Sequence, residues 1–153
     1  MTALYIDTSA WVKQYYDERG SSRVRELMAG EFLLACSVLG LVEVFATFAR
    51  KRKAGEIETA EFLATLERIE ADWAQFVQFQ LSGRMLEDAK FAAARFALRG
   101  ADAVHFAALR RLVDSAAVSG DVVILVTSDR ELKSAAVSVG IEVIDPEVES
   151  AIG

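Results

Sequence analysis

Leu4-Tyr5-Ile6-Asp7-Thr8-Ser9-Ala10-Trp11 is the stretch on which the reading of the fold turns. Leu4 to Ile6 is a short apolar run that reads as a buried strand. Thr8-Ser9 supplies a helix start, and Trp11, Val12 and Tyr15 follow on that helix. Asp7, the first charged side chain of the chain, stands at the junction.

The same strand-to-helix unit recurs along the sequence. After a short helix from Ser22 to Ala29, Phe32 to Ala35 reads as a strand and Val38 to Lys53 as a long, mostly apolar helix ending before Gly55. Glu58 to Trp73 and Arg84 to Leu98 carry apolar residues at helical spacing, and Phe76 to Gln80 between them alternates as a strand does. Gly100 breaks the chain before a helix from Asp102 to Ala117. Val122 to Val126 is a β-branched apolar run, Arg130 to Val139 a helix closed by Gly140, and Ile141 to Ile144 a last strand. Continuous apolar strands alternating with helices predict an α/β protein with a parallel sheet covered on both faces.

A chain of 153 residues with one proline and nine glycines leaves little room for linkers, so a single domain over residues 1–153 is expected. The lone cysteine, Cys36, lies in the apolar run Phe32-Leu33-Leu34-Ala35-Cys36 and reads as a small buried hydrophobe in a reducing cytoplasm. The N-terminus shows no basic leader or cleavage pattern, and the apolar segments are too short or interrupted to span a bilayer, so no membrane association is expected. A net charge of −6 argues against a protein that coats nucleic acid electrostatically. It leaves room for a nuclease, because acids that hold a cation add to the formal negative charge.

Four acids stand out. In an open parallel sheet, sites form where strands end and helices begin. Asp7 follows the first strand, Asp129 follows Val122 to Val126 through Thr127-Ser128, and Asp102 lies just past Gly100 at a helix start. Glu43 is the only charged residue between Glu31 and Arg50, which implies a largely buried helix around it. A carboxylate there needs a cation, a hydrogen-bond network or a cavity. Oxygen-only ligands select hard cations, Mg²⁺ or Mn²⁺, and with one histidine and one cysteine a conventional zinc site cannot be assembled. Such ions typically serve phosphodiester chemistry. The competing readings are ordinary helix N-caps for the three aspartates, and for Glu43 an ion pair with Arg99 or Arg50.

On Tyr5 to Ala10, Ser37 to Glu43, Arg99-Gly100-Ala101-Asp102-Ala103-Val104-His105 and Val126-Thr127-Ser128-Asp129, the chain resembles the PIN-domain nucleases, and among them the VapC-type toxins of toxin-antitoxin pairs. The resemblance spans nearly the whole chain. It implies a three-layer α/β/α fold with a central, mostly parallel sheet, and one or two Mg²⁺ or Mn²⁺ ions at Asp7, Glu43, Asp102 and Asp129, which act as catalytic residues and metal ligands. It further implies hydrolysis of RNA, a homodimer and neutralisation by a small antitoxin protein. Thr8, Ser9 and Ser128 fall where the family has hydroxyls supporting the acids. Some members carry a further aspartate after the fourth motif; here the nearest acid is Glu131.

His105 shares a helix face with Asp102 and reads as structural, with orientation of that carboxylate or contact with substrate as the other roles. Arg50, Lys51, Arg52 and Lys53 end the Glu43 helix, where they either guide RNA or complement the helix dipole. Trp11 and Tyr15 read as core, and any exposed part of the Trp11, Tyr15, Tyr16 group would be a surface for a partner helix. Two alternatives to a toxin remain: an RNA-processing or structure-specific DNA nuclease without an antitoxin, and a Mg²⁺-binding receiver-like signalling module. The latter needs a phospho-accepting aspartate on the third strand and a lysine after the fifth, and neither is evident.

Overall fold

The computed structural model describes residues 1–148. Five parallel strands, β1 (Thr2–Ile6), β2 (Leu33–Ser37), β3 (Val77–Phe79), β4 (Val122–Val126) and β5 (Glu142–Ile144), form one sheet in the order β3-β2-β1-β4-β5. The helices are α1 (Thr8–Trp11), α2 (Ser21–Ala29), α3 (Val38–Lys53), α4 (Thr59–Trp73), α5 (Gly83–Phe96), α6 (Gly100–Ser119) and α7 (Arg130–Ser138), with a 3-10 turn at Val12–Gln14. The result is the expected three-layer α/β/α arrangement. None of these helices is long and apolar enough to cross a membrane.

β1 is central because its side chains allow nothing else: Leu4, Tyr5 and Ile6 are wholly buried, on both faces of the sheet. The edge strands β3 and β5 are short and carry exposed residues, which limits the unpaired edge offered to solvent. The chain runs outward from β1 through β2 to β3 on one side, then returns to build β4 and β5 on the other. The carboxyl ends of β1 and β4 therefore flank the point where strand order reverses, and there the connections diverge and leave a crevice. Asp7 continues the pairing past β1, its N–H donating to Val126 O at 3.2 Å.

On one side α6 packs against β2, β4 and α5, burying Ala103 to Leu109 without a break. Elsewhere Trp11 stacks on Phe76 and Trp73, with ring centroids 4.9 and 5.7 Å away, so Trp11 is core as expected. Tyr15 is core too, accepting from Trp11 Nε1 at 3.0 Å and donating to Asp72 at 2.5 Å.

Three expectations need correction. The first helix is a single α turn followed by a 3-10 turn. α6 starts at Gly100, which places Asp102 inside its first turn. α3 has the expected bounds but is not largely buried: only Gly40, Val44 and Phe48 are, and Val42, beside Glu43, is 63% exposed. The helix is apolar because it packs between α1, α4, α6 and the sheet, each taking a narrow strip of it.

Candidate active site

Asp7, Thr8, Ser9, Glu43, Asp102, His105 and Asp129 line one open cleft of about 330 Å³ at the carboxyl edge of the sheet, with Arg99 and Ala101. The four acids come from four elements separated by up to 122 positions (129 − 7), brought together by the reversal of strand order.

Asp7 is 3% exposed and caps α1. Its Oδ1 accepts from Ala10 N–H at 3.0 Å and Ser9 Oγ at 2.8 Å, and its Oδ2 from Thr127 Oγ1 at 2.6 Å. Burial raises its pKa, and His105 and these donors work against that rise. The two hydroxyls are held in turn by the loop after β4: Asp129 N–H donates to Thr127 Oγ1 and Ser128 N–H to Ser9 Oγ, both at 3.0 Å. Two strand ends are thus tied together through one carboxylate.

Asp129 caps α7, accepting from Leu132 N–H at 2.8 Å. Capping and a place in the cleft coincide for Asp7 and Asp129, because an N-cap sits at the strand-to-helix junction where the crevice opens. Asp102 does not cap; Arg99 holds that position. No hydrogen bond reaches the Asp102 carboxyl among the described residues. Burial, then the negative charge of Asp129, raises its pKa to about 6, with Asp7 and Glu43 adding to the rise and His105 opposing it.

Glu43 is paired with neither Arg99 nor Arg50. Its Oε1 takes Thr8 Oγ1 at 2.7 Å and His105 Nε2 at 2.7 Å. Burial pushes its pKa up, but His105, Thr8 and the more distant charge of Arg50 bring it below the usual glutamate value. His105 therefore serves Glu43 rather than Asp102. Burial opposes charge on its ring, yet Tyr5, Cys36 and Glu43 around it hold its pKa well above the ordinary imidazole value.

Ser128 was expected to support the acids through its hydroxyl, but that Oγ is buried without a hydrogen-bond partner among the described residues. Only its backbone joins the network, and the supporting hydroxyl is that of Thr127, fully buried beside it. The signal that could have found Thr127 is strand alternation, which puts it on the same face as the buried Leu125. In the basic run, Lys51 stacks on Tyr16 with Nζ 3.8 Å from the ring centroid and pairs with Glu56, and Arg52 lies over Phe62. Tyr16 is half-buried under that lysine.

Among the described residues no three His, Cys, Asp or Glu side chains stand close enough together to hold a metal ion between them. An open cleft with carboxylates on its walls fits one or two hard ions, each keeping several waters and taking one or two of the four carboxylates directly. The donor set, all oxygen apart from an imidazole already engaged, fits Mg²⁺ or Mn²⁺.

The profile of the PIN domain matches residues 4–138. Ribonuclease VapC45 of Mycobacterium tuberculosis is 33% identical over 144 residues, 94% of this chain and 95% of the relative. Among solved structures, Mycobacterium tuberculosis VapC20, a sarcin-ricin loop cleaving toxin, superposes with a TM-score of 0.65 at 18% identity, covering 97% of this chain and 100% of that one. A toxin-antitoxin complex from Klebsiella pneumoniae gives 0.58 at 17% identity over 94% and 97% of the two chains. A strand order that converges four acids on one crevice, a matching profile and a relative of nearly equal length agree: the chain belongs to the PIN-domain family, in its VapC-type branch.

Proposed function

We propose that this protein is a Mg²⁺- or Mn²⁺-dependent endoribonuclease, the toxin of a toxin-antitoxin pair, with Asp7, Glu43, Asp102 and Asp129 as its catalytic metal ligands. The observation that carries the reading is the convergence of these acids in one cleft at the sheet's reversal point. Relatives named as ribonucleases and a fold neighbour in complex with its antitoxin support the activity and the partner. A homodimer is part of the same proposal.

The chain's own residues divide the work. Asp7 is preset by Thr127 and Ser9, so one carboxylate keeps its place before anything binds. Asp102 and Asp129 line the same cleft, Asp129 with one oxygen engaged by Leu132 N–H. When bound, the ion lowers the pKa of a water and neutralises charge on the phosphodiester during in-line attack. Asp102, its carboxyl pKa raised to about 6 by burial and the negative charge of Asp129, is the acid whose anion a cation in the cleft would favour most. Arg50 and Arg99, near Glu43 and on the cleft wall, are suited to meet RNA phosphates, whereas Lys51 and Arg52 are committed to aromatic rings.

The test is mapping of RNA ends in cells after brief expression of wild type and Asp7→Asn. New ends made by wild type alone support the reading. Ends made equally by both would sink the site assignment, and cleavage of DNA in preference to RNA would move the chain to the alternative nuclease class.

A further inference from the structure

Glu43 is 31% exposed at its side chain and has the length to swing among rotamers. It is nevertheless held from two other elements, by Thr8 of α1 and His105 of α6. Behind His105 the network continues. The ring is 2% exposed, its Nδ1 faces Tyr5 Oη at 2.9 Å, and Tyr5 Oη accepts Ser37 N–H at 3.1 Å. Ser37 is the N-cap of α3, the helix that carries Glu43 six positions later. The path thus leaves α3 at its cap, crosses β1 and α6 through buried side chains, and returns to α3 at the carboxylate.

Gly40 keeps the path open. A Cβ there would press on Cys36 Sγ and lie 3.2 Å from His105 Cε1. Both ring nitrogens are engaged, one by Tyr5 and one by Glu43, and neither is directed at a substrate.

We infer that His105 is a positioning residue: backed by Tyr5 and the Ser37 backbone, it fixes Oε1 of Glu43 so that Oε2 is the oxygen presented to a metal in the cleft. The inference rests on the reading of Glu43 as a metal ligand. Residues that hydrogen-bond a ligating group fix its orientation in this way, and their loss commonly lowers metal affinity or activity about 10- to 100-fold.

His105 is the only histidine of the chain, so ¹⁵N-labelled histidine gives one imidazole to watch. The full-length protein and its His105→Leu, His105→Gln, Tyr5→Phe and Glu43→Gln variants would be compared by that spectrum, by Mn²⁺ binding in calorimetry, and by cleavage of a mixed-sequence oligoribonucleotide. Glu43→Gln and Tyr5→Phe should each shift the ring resonances. His105→Leu should weaken Mn²⁺ binding and lower kcat by about 10- to 100-fold with KM for RNA unchanged. His105→Gln should recover most of both, since its amide can donate from the same region. Should His105→Leu fail to fold, Tyr5→Phe keeps the ring and its packing and decides the matter through Mn²⁺ binding. The inference falls if ring resonances ignore Glu43→Gln, or if a folded His105→Leu binds Mn²⁺ as wild type does. A wild type that cuts no RNA would overturn the ribonuclease proposal, while the spectrum and Mn²⁺ binding would still judge the positioning role.

Discussion

Asp7 and Asp102 face the same cleft, and both have pKa values raised by burial, yet their surroundings are opposite. Asp7 lies at a strand end, where the backbone is fixed by the sheet and two hydroxyls and an N–H close on its oxygens. Asp102 lies in the first turn of a helix with no donor on its carboxyl among the described residues and with like charges around it. The contrast separates two tasks that a carboxylate site must perform. One carboxyl is fixed by donors from two strand ends; the other is crowded by like charges that a cation in the cleft would offset.

The largest effect expected on this contrast is from Asp7→Asn. Cleavage of RNA in a metal-supplemented assay should fall by more than about 100-fold, beyond what loss of a merely supporting residue commonly costs. Its thermal stability should change little, because relief of a buried charge is offset by the loss of the Thr127 hydrogen bond. Activity close to wild type would remove Asp7 from the site and leave it a helix cap.

Thr127→Val strikes the support of Asp7 while preserving shape. It removes a donor to Asp7 and an acceptor for Asp129 N–H, so denaturant unfolding should show a loss of about 1–3 kcal/mol. Cleavage should drop about tenfold. A neutral result would show that Asp7 is not preset in this way.

A smaller effect is expected from Asp102→Asn, visible in the pH dependence of stability without metal. The native carboxyl keeps its proton up to about 6, whereas the unfolded one releases it near 3.8. Its favourable contribution is therefore complete below about 4 and lost as pH rises to about 6, so metal-free wild type should weaken across that window. The variant should lose this slope and be more stable by about 1 kcal/mol at neutral pH, a modest figure because the group is half-exposed. Added Mn²⁺ should reverse the ranking by stabilising wild type alone. An unchanged slope would show that Asp102 does not feel its neighbours.

The smallest effect sharpens the picture at the loop after β4. Ser128→Ala deletes a buried hydroxyl without a partner among the described residues, so stability should change by less than about 0.5 kcal/mol and cleavage should persist. A large loss of activity would place that hydroxyl in the chemistry after all.

Much of the architecture was legible before any coordinates. Apolar runs such as Leu4 to Ile6 and Val122 to Val126 read as strands and are strands, the second buried only at Leu125 and Val126, and α3 runs over the residues that its periodicity and the Gly55 stop foretold. Asp7 and Asp129 were legible as carboxylates that follow an apolar run at a strand-to-helix junction, Asp102 by the glycine just before it, and Glu43 as a lone charge in an apolar helix. Their supports were less so. Alternation from Leu125 favours Thr127 over Ser128 as the inward residue, but only the turn after β4 brings its hydroxyl onto Asp7. Glu43 was noticed for the right residue but an incomplete reason, since an apolar helix need not be a buried one.

The sequence by itself determined the local elements and the acids that end them, because hydrophobic period and helix capping are properties of a few neighbouring residues. Tertiary structure alone decided that β1 lies between β2 and β4, that Glu43 answers to His105 rather than to an arginine, and that Thr127 holds Asp7. Those are contacts between residues 62 and 120 positions apart. They arise from the way strands pair and helices settle on the sheet, which no single stretch of chain encodes.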